Sequence, residues 1–293
     1  MNIGFIGTGV MGKPMARNVI ETGNPVTIFA RHPEKIADLS AAGAEVADSP
    51  AELASRSECI FLSLPTDSDV EAVVLGDDGI LQAARPNTVV VDTTTGAPRF
   101  ASRIASALTE HDIFYLDAPV SGGVKGAREG TLTLMLGGES AVVDRVRSVL
   151  DAVAANVYLV GPVGAGRTLK ALNQMMAGLN AAVLCESLVL AKRAGVSPET
   201  FLSVLGKSAG NSYQLQTKLP QFIIPKKFDG GFRISLMLKD LDIVLEMARE
   251  LQTPTLLTAL GTQLYRAAGA AGYRDKDTSA LFGFLSSFSD AGS

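Results

Sequence analysis

An apolar run of strand length, Asn2 to Gly7, passes directly into Gly7-Thr-Gly9-Val-Met-Gly12, and a segment of helical period, Met11 to Glu21, follows. A glycine loop between a strand and a helix has few uses. The first glycine permits a tight turn, the second lets the backbone approach a pyrophosphate, and the third allows the helix to pack closely, while the helix N-terminus faces the negative charge. Strand-length apolar runs recur at Pro25 to Ala30, Cys59 to Leu64, Thr88 to Asp92, Phe114 to Asp117, Thr131 to Leu136 and Asn156 to Val160. Helical segments fall between them at Pro33 to Ala42, Pro50 to Ala54, Asp67 to Val74 and Pro98 to Glu110. Several start with proline behind a polar residue, as helix N-termini do. The alternation predicts an α/β fold, a doubly wound Rossmann-type sheet with both faces covered.

After Gly161-Pro162 the pattern changes. One long helical stretch runs from Gly164 to Ala194, rich in small residues such as Ala171, Ala177, Gly178, Ala181 and Ala182. The later segments, Pro198 to Gly206, Ser212 to Phe222, Leu236 to Leu251, Pro254 to Ala271 and Thr278 to Phe288, are helical in period with no strand signal. The expected organisation is a dinucleotide-binding domain over residues 1–162 and an all-α domain over residues 163–293, joined by a long interdomain helix. Small residues on that helix suit close approach of neighbouring helices, or the core of a homodimer or homotetramer.

Several function classes are disfavoured by composition. The net charge of −4 and the lack of a basic run argue against nucleic acid. Stretches such as Ala181 to Leu190 are broken by Glu186 and fall short of the roughly 20 residues a spanning helix needs, so no membrane segment is expected. The first residues carry no positive n-region and read as a first strand rather than a signal peptide. Cys59 and Cys185 are the only cysteines, each in an apolar setting, which fits a cytoplasmic protein without disulfides. With only His32 and His111, and no ligand-spaced cluster, no metal site is expected. His111, in the turn Glu110-His111-Asp112, reads as a solvated surface residue.

Three further places carry chemistry. At the end of the second strand, where an NAD-preferring site presents a carboxylate to the ribose, this chain has Ala30 followed by Arg31. A guanidinium there can pair with a 2′-phosphate, so NADP(H) is expected over NAD(H), with His32 assisting. Asp117-Ala-Pro-Val-Ser121-Gly122-Gly123 follows a strand and offers a hydroxyl and unshielded backbone N–H groups. It reads either as a cradle for a small carboxylate or as a tight turn. Lys170 and Asn173 stand three residues apart on the long helix and so share a face. A lysine there can pass a proton when desolvation or a neighbouring cation lowers its pKa. Together with a dinucleotide loop, that supplies both halves of an alcohol oxidation, the hydride and the proton. Lys239-Asp240 is compatible with an ordinary helix-surface pair, and spacing alone does not decide its role.

With these residues in place, the chain resembles the beta-hydroxyacid dehydrogenase family, which includes 3-hydroxyisobutyrate dehydrogenases and tartronate semialdehyde (2-hydroxy-3-oxopropionate) reductases. The likeness runs essentially end to end through four ordered motifs: Gly7-Thr8-Gly9-Val10-Met11-Gly12; Asp117 to Gly123; Gly164-Ala-Gly166 with Lys170, Asn173 and Gln174; and Lys239-Asp240-Leu241. The resemblance implies interconversion of a small 3-hydroxyacid and its semialdehyde. Lys170 would handle the proton and Asn173 would hold the reacting oxygen. Ser121, Gly122 and Gly123 would cradle the substrate carboxylate, and Lys239 and Asp240 would serve the substrate, Lys239 the nicotinamide as well. Leu64, Pro65 and Thr95 would lie along the cofactor path. Thr8 replaces a frequent leucine, and Asn173-Gln174 matches tartronate semialdehyde reductases where many members have Asn-Asn. Gly231-Phe-Arg-Ile points to the same branch, whereas Gly206-Lys-Ser-Ala-Gly-Asn-Ser-Tyr213 looks closer to members acting on larger hydroxyacids such as 2-(hydroxymethyl)glutarate. An imine reductase shares the two-domain plan but usually lacks the lysine, and a 6-phosphogluconate dehydrogenase type has a longer helical domain and more cations. A non-catalytic cofactor-binding scaffold is the reading from another class, and the joint presence of Lys170, Asn173 and Ser121 opposes it.

Overall fold

The computed structural model describes residues 1–290. They form two compact units, Met1–Lys170 and the chain from Ala171 onward, and the long helix belongs to both.

In the first unit nine strands form one sheet: β1 Ile3–Ile6, β2 Val26–Phe29, β3 Glu45–Val46, β4 Cys59–Leu62, β5 Val89–Asp92, β6 Phe114–Asp117, β7 Val120–Ser121, β8 Leu132–Gly137 and β9 Ala154–Gly161. Its order is β3-β2-β1-β4-β5-β6-β8-β7, with β9 paired to β8. The strands from β3 to β6 pair in parallel, β8 runs antiparallel to β6 and β7, and β9 is parallel to β8. Strand order reverses between β1 and β4, which is the switch point where such sheets receive ligands beyond their carboxyl ends.

The two-residue period decides which face each side chain covers. Ile3 and Phe5 of β1 share one core with Cys59 and Phe61 of β4 and Val89 and Val91 of β5. The alternate residues Ile6, Ile60, Leu62 and Val90 form the core on the other face. Phe5 and Phe61 stack with centroids 5.8 Å apart. The first core is covered by α1 (Gly12–Glu21), α2 (Ala37–Ala41), α6 (Gly123–Glu129) and α7 (Ser140–Val153), and the second by α3 (Pro50–Arg56), α4 (Asp67–Leu75) and α5 (Pro98–Thr109). The doubly wound, two-faced plan expected from the alternation is thus present. Helix starts follow local chemistry. The Ser49 hydroxyl accepts from the Glu52 N–H at 3.1 Å with Pro50 in the first turn, and Thr66 caps α4 through Asp69 in the same way.

Three elements differ from expectation. Pro33 to Ala42 is a 3-10 turn, Pro33–Ile36, followed by the short α2. The edge strand β3 is two residues long and carries no periodic signal. Helix α7 has no counterpart in the sequence reading because its apolar residues are mostly valines, which favour strands in isolation. Their positions, Val142, Val143, Val146, Val149, Leu150 and Val153, are nonetheless helical in spacing and all buried, so packing overrides propensity.

The second unit is helical: α8 (Ala165–Arg193, entering from the first unit), α9 (Pro198–Leu205), α10 (Tyr213–Lys218, continued by a wider turn, Leu219–Ile223), α11 (Ile234–Glu250), α12 (Leu256–Ala268) and α13 (Leu281–Asp290). The small residues of α8 admit close neighbours. A Cβ on Gly178 would lie 2.7 Å from the Met237 sulfur, and the Tyr265 hydroxyl donates to the Gly178 carbonyl at 2.9 Å. By length and composition α8 reaches what is needed to cross a bilayer, contrary to the expectation that Glu186 interrupts it. Its Ala182, Leu184, Cys185 and Leu188 belong instead to the core of the second unit, and the core helix of a folded unit meets the same criterion of length.

Candidate active site

The three glycines of the first loop serve three different constraints. Gly7 has φ +96°, and a Cβ there would overlap the Ser63 carbonyl; one on Gly12 would overlap the Gly7 carbonyl. Around Gly9 nothing lies within 4 Å of where a Cβ would be. The residue before α1, Met11, provides no side-chain cap, the Lys13 N–H donates to the Gly9 carbonyl at 3.0 Å, and Pro14 carries no N–H. Thr8 is half-buried and Val10 exposed beside them. The loop is thus tightly fitted at Gly7 and Gly12 and open at Gly9. A Gly9→Ala substitution is expected to leave Tm within about a degree while weakening dinucleotide affinity about tenfold or more, about 1.4 kcal/mol. Gly12→Ala is expected to lower Tm as well, since overpacking costs about 1–3 kcal/mol. Thermal melts with a cofactor titration separate the two, and unchanged affinity in Gly9→Ala would refute the assignment.

Beyond β2, Arg31 is exposed. His32 is also exposed, with Nδ1 3.3 Å from Glu34. His111 is exposed too, so neither histidine offers a buried base. Both cysteines are buried, and burial pushes each thiol up to about 12, leaving no nucleophilic thiolate near neutral pH. Among the described residues no group of three or more His, Cys, Asp or Glu gathers as a metal ion would need.

Beyond the carboxyl end of β6 the Ser-Gly-Gly segment forms a tight turn. Ser121 ends β7, Gly122 at φ +129° and Gly123 at φ +64° reverse the chain, and α6 begins without a side-chain cap. A methyl group on Gly123 would meet no atom within 4 Å, so the turn is open on that side. The loops after β4 and β5 are tied together, because the Leu64 N–H donates to Thr94 Oγ1 at 3.1 Å. Pro65 follows Leu64, and half-buried Thr95 follows Thr94.

Lys170, in the second turn of α8, is buried at 8% exposure. Asn173, half-buried one turn on, donates through Nδ2 to Gln174 Oε1 at 3.0 Å, and Gln174 Nε2 donates to Asp240 Oδ2 at 2.6 Å. Lys239 Nζ lies 3.2 Å from Asp240 Oδ1. Asp240 is therefore a buried acceptor for Gln174 that also forms an ion pair with its neighbour Lys239, while among the described residues its Oδ1 accepts no hydrogen bond; the Gln174–Asp240 bond joins α8 to α11 within the second unit. The sequence marks Gln174 only as a motif letter, since nothing local announces a partner 66 residues away.

A second cluster leaves no trace in the sequence pattern. Arg167 is fully buried; its Nη2 donates to Asp92 Oδ2 at 2.5 Å and its Nη1 to Asp67 Oδ1 at 2.7 Å and to the Ala97 carbonyl at 3.2 Å. Asp92 also accepts from the Tyr115 hydroxyl at 2.6 Å and the Thr94 N–H at 2.9 Å. Burial alone disfavours charge on Arg167, but the Asp92 and Asp67 carboxylates more than offset it and hold the guanidinium protonated. Burial and the Asp92 carboxylate likewise keep Tyr115 protonated, as a donor. Asp117 accepts from the Gly164 and Arg167 N–H groups, each at 2.7 Å, and so caps α8 from β6. Burial raises its carboxyl pKa against those two hydrogen bonds.

Comparison with known proteins agrees with this layout. Residues 2–161 match the family model for the NAD-binding domain of 6-phosphogluconate dehydrogenase. Residues 164–285 match that described as NAD-binding of NADP-dependent 3-hydroxyisobutyrate dehydrogenase. The 2-(hydroxymethyl)glutarate dehydrogenase of Eubacterium barkeri is 40% identical over 96% of this chain and 93% of its own. The 3-hydroxyisobutyrate dehydrogenase of Pseudomonas aeruginosa is 36% identical over 90% of this chain and 91% of its own. Among solved structures, the 3-hydroxyisobutyrate dehydrogenase of Mycobacterium tuberculosis, determined with L-serine, superposes with a TM-score of 0.90 at 31% identity, covering 97% of this chain and 98% of that one.

Proposed function

The chain belongs to the beta-hydroxyacid dehydrogenase family, and on that premise we propose that it is an NAD(P)-dependent oxidoreductase interconverting a small 3-hydroxyacid and its semialdehyde. The observation that carries this reading is Lys170, a buried lysine on a helix that starts at the carboxyl edge of a dinucleotide-binding sheet. A lysine held in place on that helix can donate a proton to a reacting oxygen or accept one from it.

The residues fit the cofactor: an open Gly9, an uncapped α1 N-terminus and an exposed Arg31. When bound, the nicotinamide supplies or accepts the hydride. Gly7, Thr8, Gly9, Val10, Met11 and Gly12 would hold the pyrophosphate, Arg31 the 2′-phosphate, and Leu64, Pro65, Thr95 and Lys239 would line the rest of the cofactor path. Ser121 with the N–H groups of Gly122 and Gly123 would hold the substrate carboxylate. Asn173 would fix the reacting oxygen so that Lys170 Nζ delivers a proton to it during reduction or removes one during oxidation. Lys239 and Asp240 would complete the substrate side. In this reading the helical domain binds substrate and supports a homodimer or homotetramer, for which the exposed Met176, Val183 and Leu190 of α8 offer an apolar stripe. The protein is proposed to be cytoplasmic.

For substrate we propose 2-hydroxy-3-oxopropionate or the semialdehyde of 3-hydroxyisobutyrate, on Asn173-Gln174 and the Gly231-Phe-Arg-Ile stretch. The relative acting on 2-(hydroxymethyl)glutarate and the Gly206 to Tyr213 stretch support a longer hydroxyacid as the second reading. A panel of these semialdehydes with NADPH and with NADH, followed at the nicotinamide absorbance band, tests the class and ranks the substrates. Silence on every semialdehyde alongside reduction of a cyclic imine would favour an imine reductase; silence with bound cofactor would favour a scaffold.

NADPH is expected to give the higher kcat/KM, and Arg31→Ser to cut the NADPH-to-NADH ratio by about 10- to 100-fold, as loss of a charge-assisted pair worth about 1.5–3 kcal/mol implies. A wild-type preference for NADH would contradict the assignment of Arg31.

A further inference from the structure

In the first unit the start of α4, the end of β5 and the residue before α5 meet at one buried group. The Arg167 guanidinium joins Asp92 at the end of β5, Asp67 at the start of α4 and the Ala97 carbonyl before α5. From Asp92 the chain of hydrogen bonds continues through the Thr94 N–H, and from Thr94 Oγ1 to the Leu64 N–H, so both cofactor-side loops connect to the same ion pair. From the other side Asp117 clamps the first turn of α8 through Gly164 and Arg167, and Asp117 leads directly into Ser121 to Gly123. Lys170 follows Arg167 by three residues and therefore shares its helix face.

The backbone is cut to fit these carboxylates. A Cβ on Gly96 would overlap Asp67 Oδ1 and lie 2.6 Å from Arg167 Nη1. A Cβ on Gly137 would overlap Asp117 Oδ1, and one on Gly166 would lie 2.9 Å from Asp117 Oδ2. The guanidinium also lies over the Phe100 ring at 5.4 Å, and among the described residues its Nε has no acceptor. Net stability does not explain so confined a site, because a buried ion pair contributes little more than well-packed apolar side chains. What the site does fix is geometry. A pair and its hydrogen bonds specify one register of α8 against β5 and β6, where an apolar patch would tolerate several.

We propose that Arg167 is a positioning residue for the reaction: through Asp92 and Asp67 its guanidinium sets the register of the Lys170 helix against the Thr95 and Leu64 loops, alongside the backbone clamp that Asp117 makes on the first turn of the same helix. This inference rests on Lys170 carrying the proton. A shift of about an ångström at a reacting group costs about 10²-fold in rate, so the expected signature is a fall in kcat without loss of fold or of cofactor binding.

Wild type, Lys170→Ala, Arg167→Lys and the double variant Arg167→Met with Asp92→Asn test it, with NADPH and the semialdehyde that wild type reduces fastest. The double variant removes both buried charges and is expected to keep Tm within a few degrees. It is expected to keep the NADPH Kd within about threefold and to lose kcat by about 10²-fold. Arg167→Lys keeps the cation but cannot span Asp92, Asp67 and Ala97 together, so an intermediate loss of about tenfold is expected. A folded double variant with kcat within about threefold of wild type would overturn the proposal; should it fail to fold, unchanged kcat in Arg167→Lys would do so. Failure of the underlying reading looks different: wild type is then silent on every semialdehyde, or Lys170→Ala turns over normally, and the inference falls with it.

Discussion

Lys170→Ala lowers kcat by about 10³- to 10⁴-fold and leaves the NADPH Kd within about threefold. Positioned proton transfer contributes about 10²–10⁴-fold to a rate, and a buried lysine has no solvent proton carrier to replace it, which places the loss toward the upper end. Cofactor affinity stays because the pyrophosphate loop, Gly7 to Gly12, and Arg31 lie on β1, α1 and the end of β2, elements the substitution does not touch. Removing a lysine from a helix interior in favour of alanine also carries no propensity cost, so a melt close to that of wild type is expected. Rapid-mixing kinetics with a fluorescence titration check this, and a mutant with near-normal turnover would remove Lys170 from the reaction.

The second large effect lies in the helical unit. Asp277 is fully buried, and each of its oxygens is used twice. Oδ1 accepts from the Ser279 N–H at 2.9 Å and the Ser279 hydroxyl at 2.6 Å, while Oδ2 accepts from Lys218 Nζ at 2.5 Å and the Phe232 N–H at 2.7 Å. Lys218 also lies over the Phe222 ring at 4.7 Å. This carboxylate thus joins α10, the turn before α11 and the segment entering α13. Asp277→Ala leaves a largely buried cation and several donors unpaired, which costs about 3–5 kcal/mol. That is a large part of the roughly 5–15 kcal/mol that typically holds a domain folded. The expected result in urea is a lowered midpoint for the helical unit, whereas Asp277→Asn, which keeps acceptors for some of the donors, loses less. A midpoint unchanged in Asp277→Ala would show that the network is not essential to the unit.

How far the sequence reveals all this depends on the range of the interaction concerned. The glycine loop is legible because strand, loop and helix are contiguous and each glycine answers a local steric demand. The sheet is legible because its strands alternate between two buried faces or run fully apolar, as Phe5, Phe61 and Val90 illustrate. Helix α7 is not, since a valine-rich stripe reads as strand until its spacing is met by a packing surface. Lys170 and the serine-glycine turn stand out through their surroundings in the chain. Arg167 does not: its partners Asp67, Asp92 and Asp117 are 50 to 100 residues away, and no local pattern marks an arginine as buried. Gln174 and Asp240 escape for the same reason. Asp240 reads as a surface or substrate residue in sequence, while in the fold its carboxylate is taken up by Gln174 and Lys239.

Hydride transfer to a carboxylate-bearing aldehyde is the centre of the functional reading, and isotope transfer tests it without reliance on any mutant. NADPH carrying deuterium at the transferable nicotinamide carbon is incubated with the panel of semialdehydes, and the products are read by NMR and mass spectrometry. The expected product is a 3-hydroxyacid with one deuterium on the carbon that bears the new hydroxyl group. Bound cofactor with no deuterium delivered to any semialdehyde would contradict the assignment of this chain as a hydroxyacid dehydrogenase.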